Sequence, residues 1–365
     1  MERIVVTPQY YRGKGAIDEL EAVSKKLRIS GNNAVIIGGE TGIAVVQGKI
    51  TGLLNQAQIN ITDTLIYGKE CSWENINLLA DKVMKLNADF IIGVGGGKAL
   101  DTAKAVAYKV GIPIVTVPTI AATCAAMTPL SIIHTSEGAQ LISSPESALP
   151  EAVFVDTTII AEAPKRLFCS GMGDTLAKWY ELRAITGGII NTSLTIGAFS
   201  LGRTCYQLIK EFGHTALVDV AHSQVTNSVE QVVDAIIWFA GISSILGGEV
   251  CRAAAAHAIY SGFTKIEKAH QMHHGELVGF GNLCLLELEK RPEAEIIESI
   301  KLAHGINVPV TIAQIGQLTA EEISLVANTA ANSKAMKFMP MKVEGEAVMS
   351  AIYAIDQRGK QLLGR

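Results

Sequence analysis

Along residues 1–160, short β-branched apolar runs alternate with stretches whose apolar positions recur every three or four residues. Ile4 to Val6, Ala34 to Ile37, Thr64 to Tyr67, Phe90 to Val94, Ile112 to Val117 and Val153 to Val155 predict strands. Ala16 to Leu27, Ile43 to Gln56, Trp73 to Leu86 and Ala99 to Val110 predict helices between them. Strand and helix in strict alternation demand parallel pairing with helices over both faces, a Rossmann-like open sheet. Leu130 to Thr135, a turn at Ser136-Glu137-Gly138, and Ala139 to Ser143 predict a hairpin added to that sheet. After Ala163-Pro164 the β alternation stops and Ala/Leu/Ile helical patterns run to the end. The expected organisation is an α/β nucleotide-binding domain over residues 1–162 and an all-α domain over 163–365, with a ligand cleft between them.

Composition sharpens this picture. The chain of 365 residues is 48% apolar and 18% charged, with a mean hydropathy of +0.29, so a membrane reading must be tested first. Two uncharged runs are long enough for the roughly 20 residues that a spanning helix needs. Val110 to Ile133 contains Pro113, Pro118 and Pro129, and Ala184 to Gly202 carries several glycines and hydroxyls; neither reads as a span. With 31 basic against 35 acidic residues and no basic run, nucleic acid is not an expected partner. No charged segment followed by an apolar one opens the chain, and six scattered cysteines form no CxxC pair. The expectation is a reduced, cytoplasmic protein acting on a small molecule.

Two patterns carry chemistry. Strand Phe90 to Val94 runs into Gly95-Gly96-Gly97-Lys98-Ala99-Leu100-Asp101. A strand, a glycine turn and a helix start bring backbone N–H groups and the positive helix end to a phosphate. The spacing matches neither GxGxxG nor the P-loop. In dinucleotide sites an acid after the second strand binds the adenosine ribose; here Gly39 stands there, with Glu40 one place later, which leans weakly to NADP over NAD. In the helical half, Gly173-Asp174, His257 after an alanine run, and His274-Gly275-Glu276 form an Asp, His, His set, the ligand count of a catalytic metal site with an open position.

Together these pieces resemble the iron-containing (group III) alcohol dehydrogenase superfamily and its glycerol dehydrogenase branch. The matching stretches are Gly93 to Lys104, Val117 to Ala121, Val155-Asp156-Thr157 with Ala163-Pro164, the Gly173-Asp174 helix, Ala255 to Ala258 and His274-Gly275-Glu276, in the family's order. The resemblance implies the dehydroquinate synthase-like, iron-containing alcohol dehydrogenase fold, a homo-oligomer of two or more copies, and reversible hydride transfer at a metal. It implies Asp174, His257 and His274 as metal ligands. Gly39, Gly95, Gly96, Gly97, Lys98, Ala99, Leu100 and Asp101, with Thr119, Ile120, Ala121 and Ala122, become cofactor contacts. Thr128, Leu130 and His134 fall along the nicotinamide.

Three departures bear on substrate. Where iron-binding members carry a fourth ligand histidine, this chain has Lys178, so the site resembles the three-ligand zinc type, although iron, nickel and manganese also suit such a site. Where glycerol dehydrogenases carry a substrate-contacting aspartate, it has Cys124, and their second-strand aspartate is Gly39. The runs Val117 to Ser131 and Gly173 to Glu181 resemble the hydroxycarboxylate dehydrogenase subgroup, which reduces 2-oxo acids with NADPH. A thiol at Cys124 removes repulsion toward an anion, and Lys178, one turn from Asp174, can hold a substrate carboxylate or pair with Glu181. His270 is a candidate proton relay. The expected activity is NAD(P)-linked oxidoreduction of a 2-oxo acid/2-hydroxy acid pair, with glycerol or polyol oxidation as the alternative. A dehydroquinate synthase-like lyase ranks lower, because that class wants a glutamate as first ligand and more basic residues.

Overall fold

The computed structural model describes residues 8–26, 32–187 and 192–364. They divide into two compact units: one holds the described residues up to 163 together with 219–233, the other 164–218 and 234 onward.

In the first unit the predicted alternation is realised. Its elements are β1 (Gln9–Gly13), α1 (Leu20–Lys26), β2 (Asn33–Gly38), α2 (Glu40–Gln56), β3 (Asn60–Ile66), α3 (Trp73–Lys85), β4 (Phe90–Gly95), α4 (Gly97–Val110), β5 (Ile114–Pro118), β6 (Ser131–His134), β7 (Gln140–Ser144), β8 (Ala152–Asp156) and α5 (Thr157–Glu162). Six strands form one parallel sheet in the order β1-β8-β5-β4-β2-β3. The expected strand Ile4 to Val6 lies outside the described residues; the strand that pairs with β8 is Gln9–Gly13.

Side chains alternate across the sheet, so one strand feeds two cores. Ala34, Ile36, Phe90, Ile92, Val94, Val115 and Val117 pack with Ile43, Val46, Ile50 and Leu54 of α2. Val35, Ile37, Ile91 and Ile114 face Leu79 and Val83 of α3 and Ala103 and Val106 of α4. Both faces are therefore covered, which is why β4, β5 and β8 are buried at every position.

The hairpin is the first correction. Strands β6 and β7 pair antiparallel with each other as a separate two-stranded sheet and do not extend the parallel one. The chain between β5 and β6 instead loops back over the end of β4, as Thr119 donates to the Gly95 carbonyl.

The second unit is helical: α6 (Lys165–Thr186), α7 (Ser193–Val220), α9 (Ala240–Gly247), α10 (Ala255–Phe263), α11 (His274–Leu288), α12 (Glu293–Gly305), α13 (Ile312–Ile315), α14 (Ala320–Ala331) and α15 (Gly345–Leu362). Between α7 and α9 lies α8 (Asn227–Val233), and here the expected division is corrected, because residues 219–233 belong to the first unit. Arg12 of β1 pairs with Glu230 of α8 at 2.6 Å, and α8 packs on α5. The uncharged run Val110 to Ile133 resolves into β5, a loop and β6, whereas Ala184 to Gly202 is the end of α6 and the start of α7, with 188–191 outside the described residues. Among the described residues one different segment, Asn227–Gly247, is long and apolar enough to cross a membrane, and 56% of its apolar window is buried in the protein.

Candidate metal centre and phosphate loop

After β4 the chain turns at Gly95, whose φ of +131° favours glycine, and Gly96 starts α4 with no side chain capping the helix. A Cβ on Gly96 would lie 2.7 Å from Ile120 Cδ1, and one on Gly42 would lie 3.0 Å from Gly95 Cα. The backbone after β2 therefore runs against the backbone after β4, leaving the first N–H groups of α4 for an anionic ligand. Gly39 precedes α2 in extended conformation (φ −85°, ψ 148°). Lys98 is exposed and pairs with Glu70 at 2.6 Å.

Ala99, Leu100 and Asp101, expected as cofactor contacts, are buried in α4. Asp101 instead serves the next loop: its Oδ2 accepts from the Ile132 N–H at 3.0 Å, and its Oδ1 lies 2.9 Å from Lys104 Nζ. Lys104 has no exposed side-chain surface. Its ammonium donates to the carbonyls of Ala125 (2.7 Å), Thr128 (2.8 Å) and Leu130 (2.6 Å). Three carbonyls use all three protons, so Asp101 Oδ1 compensates the buried charge without a hydrogen bond of its own. Along the loop so held, Thr119, Ala121 and Thr128 are buried, and Ile120, Ala122, Cys124 and Leu130 are half-buried. His134 is buried on β6 with Nδ1 unpaired; burial, and then the charge of Lys98, lower its pKa and favour the neutral ring.

In the second unit, α6 presents Asp174, Lys178 and Glu181 on successive turns of one face. Close helix contact sets the rest. A Cβ on Gly275 would fall 1.8 Å from the Ser170 carbonyl oxygen, and one on Gly281 2.6 Å from that of Ala256, so α6, α11 and α10 meet backbone to backbone. Ser170 Oγ accepts from the Gly275 N–H, and Asn282 donates to the Gly173 carbonyl, each at 3.0 Å. This packing brings Asp174, His257 and His274 together, with one ligand atom from each within 4.8 Å of the others. Asp174 Oδ1 lies 3.1 Å from His274 Nε2 and 3.4 Å from His257 Nε2.

Electrostatics agree with the geometry. Burial pushes the Asp174 carboxyl up, but the two histidines outweigh it and hold the carboxyl well below its usual range. Burial likewise opposes charge on His257, yet Glu181 and Asp174 raise it to about 9 in the protein alone. The His257 Nδ1 rests 2.7 Å from Glu181 Oε2, and Tyr260 meets the His274 ring edge-on at 4.3 Å. Two imidazole Nε2 atoms and a carboxylate converging on one point, with the imidazoles half-exposed, fit a divalent metal that has three protein ligands and an open position.

Of the other predicted residues, Lys178 is buried one turn from Asp174, with 9% of its surface exposed. His270 is exposed, with Nε2 3.0 Å from the Thr264 carbonyl oxygen, and stands outside the Asp174, His257, His274 cluster. Glu181 as the partner of His257 escaped the sequence reading, as did Tyr260. Their signals were spacings, Glu181 seven residues after Asp174 and Tyr260 three after His257, one helical face in each case.

Residues 7–157 match the model of the iron-containing alcohol dehydrogenase family. Glycerol dehydrogenase of Escherichia coli O6:H1 (strain CFT073) is 34% identical over 373 residues, covering 100% of this chain and 99% of the relative. The chain belongs to the iron-containing alcohol dehydrogenase family. It is an oxidoreductase of that family, whose members use a nicotinamide dinucleotide and a divalent metal. Hydroxycarboxylate dehydrogenase A of Escherichia coli K12 is also similar, at 31% identity over 366 residues and 97% of each chain. Among solved structures, glycerol dehydrogenase from Schizosaccharomyces pombe superposes with a TM-score of 0.89 at 28% identity, over 100% of this chain and 93% of that one.

Proposed function

We propose that this chain is a metal-dependent, nicotinamide-linked dehydrogenase that interconverts a small polyol, glycerol or a related diol, with its carbonyl counterpart. The observation that carries this reading is the convergence of Asp174, His257 and His274 in a chain that aligns end to end with a glycerol dehydrogenase. A divalent ion bound there, for which we favour zinc, supplies Lewis-acid polarisation of the substrate oxygen, and the dinucleotide accepts or delivers the hydride. The chain's own residues do the rest. Asp174 supplies the negative charge, and Glu181 holds His257 in place. The uncapped start of α4 takes the dinucleotide's phosphates, and the loop tied down by Lys104 carries Cys124, Thr128 and Leu130 as a fixed wall. Gly39, with no carboxylate to repel a 2′-phosphate, supports use of NADP alongside NAD.

Cys124 favours a second reading, reduction of 2-oxo acids. A thiol where related glycerol enzymes carry a carboxylate lifts repulsion toward an anionic substrate, and Lys178 lies one turn from Asp174. A screen separates the two. Metal-loaded protein is given glycerol and diols with oxidised cofactors, and 2-oxo acids with reduced ones, while nicotinamide absorbance is followed. Glycerol or diol turnover is the expected outcome; turnover of 2-oxo acids alone would replace the first reading by the second. In that case Lys178→Ala should raise KM for the acid.

A further inference from the structure

Glu181 is a buried carboxylate, 1% exposed, whose two oxygens have different duties. Oε1 accepts from the backbone N–H groups of Ala254 (2.7 Å) and His257 (3.0 Å). Ala254 sits at the N-terminal boundary of α10 and has no side chain with which to cap it, so Glu181 of α6 provides the acceptor and the negative charge that the first turn of α10 lacks. Oε2 faces His257 Nδ1 at 2.7 Å. A carboxylate has no proton to give, so the proton of that bond lies on Nδ1, and the ring's other nitrogen, Nε2, is the atom turned toward Asp174.

We propose, building on the metal reading above, that Glu181 is the positioning residue that sets the tautomer of His257, keeping the proton on Nδ1 so that Nε2 is available as a metal ligand. The arrangement is polar in one direction only. Three donors converge on two oxygens, and two of those donors are backbone groups that cannot reverse. Glu181→Gln supplies one oxygen and one NH₂ in the same space. The oxygen must face the two backbone N–H groups, the NH₂ then faces His257 Nδ1, and the ring answers by placing its proton on Nε2, where it blocks ligation. Glu181→Asp keeps the acceptor chemistry but withdraws it by one methylene.

The test measures metal affinity by competition with a chromophoric chelator, using zinc and the metal-free full-length protein in wild-type, Glu181→Gln and Glu181→Asp forms. Thermal unfolding of each metal-free form and ¹⁵N imidazole shifts of the zinc-loaded proteins accompany it. The expected result is a loss of about 10- to 100-fold in zinc affinity for Glu181→Gln. Metal-free Glu181→Gln should still unfold cooperatively but at a lower temperature near neutral pH, where His257 loses its charged partner, Glu181→Asp should be intermediate in zinc affinity, and His257 of the zinc-loaded wild type should carry its proton on Nδ1. Equal zinc affinity of wild type and Glu181→Gln would overturn the proposal while leaving the metal reading intact. Failure of the wild type to bind zinc, iron, nickel or manganese would overturn the metal reading itself. Should Glu181→Gln not fold, the wild-type shifts decide: a proton on Nε2 of His257 in the zinc-loaded protein refutes the assignment.

Discussion

Cys124 is half-buried, while the other five cysteines are buried. Burial pushes the Cys71 thiol up to about 12 and that of Cys169 to about 11, so neither offers thiolate at neutral pH. A thiol reagent should therefore label one site rapidly in the native protein, and Cys124→Ser should abolish that fast phase in a titration of accessible thiols. Gly39 tests cofactor choice. A side chain there meets only the Tyr67 ring, at an ordinary 3.4 Å, so Gly39→Asp should fold. It should shift the ratio of kcat/KM for NAD over NADP upward by about tenfold, equivalent to about 1.4 kcal/mol. The Asp174, His257 and His274 cluster was legible at this scale because its residue types announce it. Asp101 was not: an acid in a glycine-rich motif reads the same whether it faces a ligand or a buried lysine, and only the fold reveals Lys104 beneath the loop. Glu181 was hidden because its partner lies 76 residues away.

Helices α6, α10 and α11 act as one element around Asp174, His257 and His274, and Gly275 is where two of them touch. Gly275→Ala would drive a methyl into the Ser170 carbonyl. Separating the helices should cost about 3 kcal/mol in denaturant unfolding and weaken metal binding in the same variant. Farther along α6, Arg183 bridges Glu289 and Glu295. Burial works against ionisation of Glu295, but Arg291 and Arg183 outweigh it and hold its carboxyl below the ordinary range. A folded pKa below the unfolded one means that the stabilisation is complete above the usual carboxylate range and is lost as pH falls through it. Glu295→Gln should therefore cost about 1 kcal/mol at neutral pH, and the difference should vanish in acid. The central strands were legible because double-sided burial writes them as unbroken apolar runs. The separate hairpin sheet was not, since its pairing partners follow from where the preceding loop returns rather than from any local pattern.

For the molecule as a whole, the change from alternating to purely helical patterning at Ala163-Pro164 was plain in the chain. The order β1-β8-β5-β4-β2-β3 was not, because strand neighbours are chosen by crossovers that leave no trace in periodicity. Nor was the return of residues 219–233 to the first unit, which rests on contacts such as Arg12 with Glu230. A metal held, as proposed, by Asp174, His257 and His274 on three helices should also report on global stability. At a free ion concentration about 100 times its dissociation constant it should add about 2.7 kcal/mol, so chelation should lower the unfolding temperature and zinc restore it. Lys104 carries a broader implication. It grips the 125–130 segment through main-chain carbonyls, groups that every amino acid possesses, and not through the side chains that line the wall. Residues on that wall can be exchanged in the course of descent without loosening the backbone beneath them. On the function proposed above, one scaffold can thus trade a carboxylate for a thiol and move between neutral and anionic substrates while the backbone of that loop stays where it was.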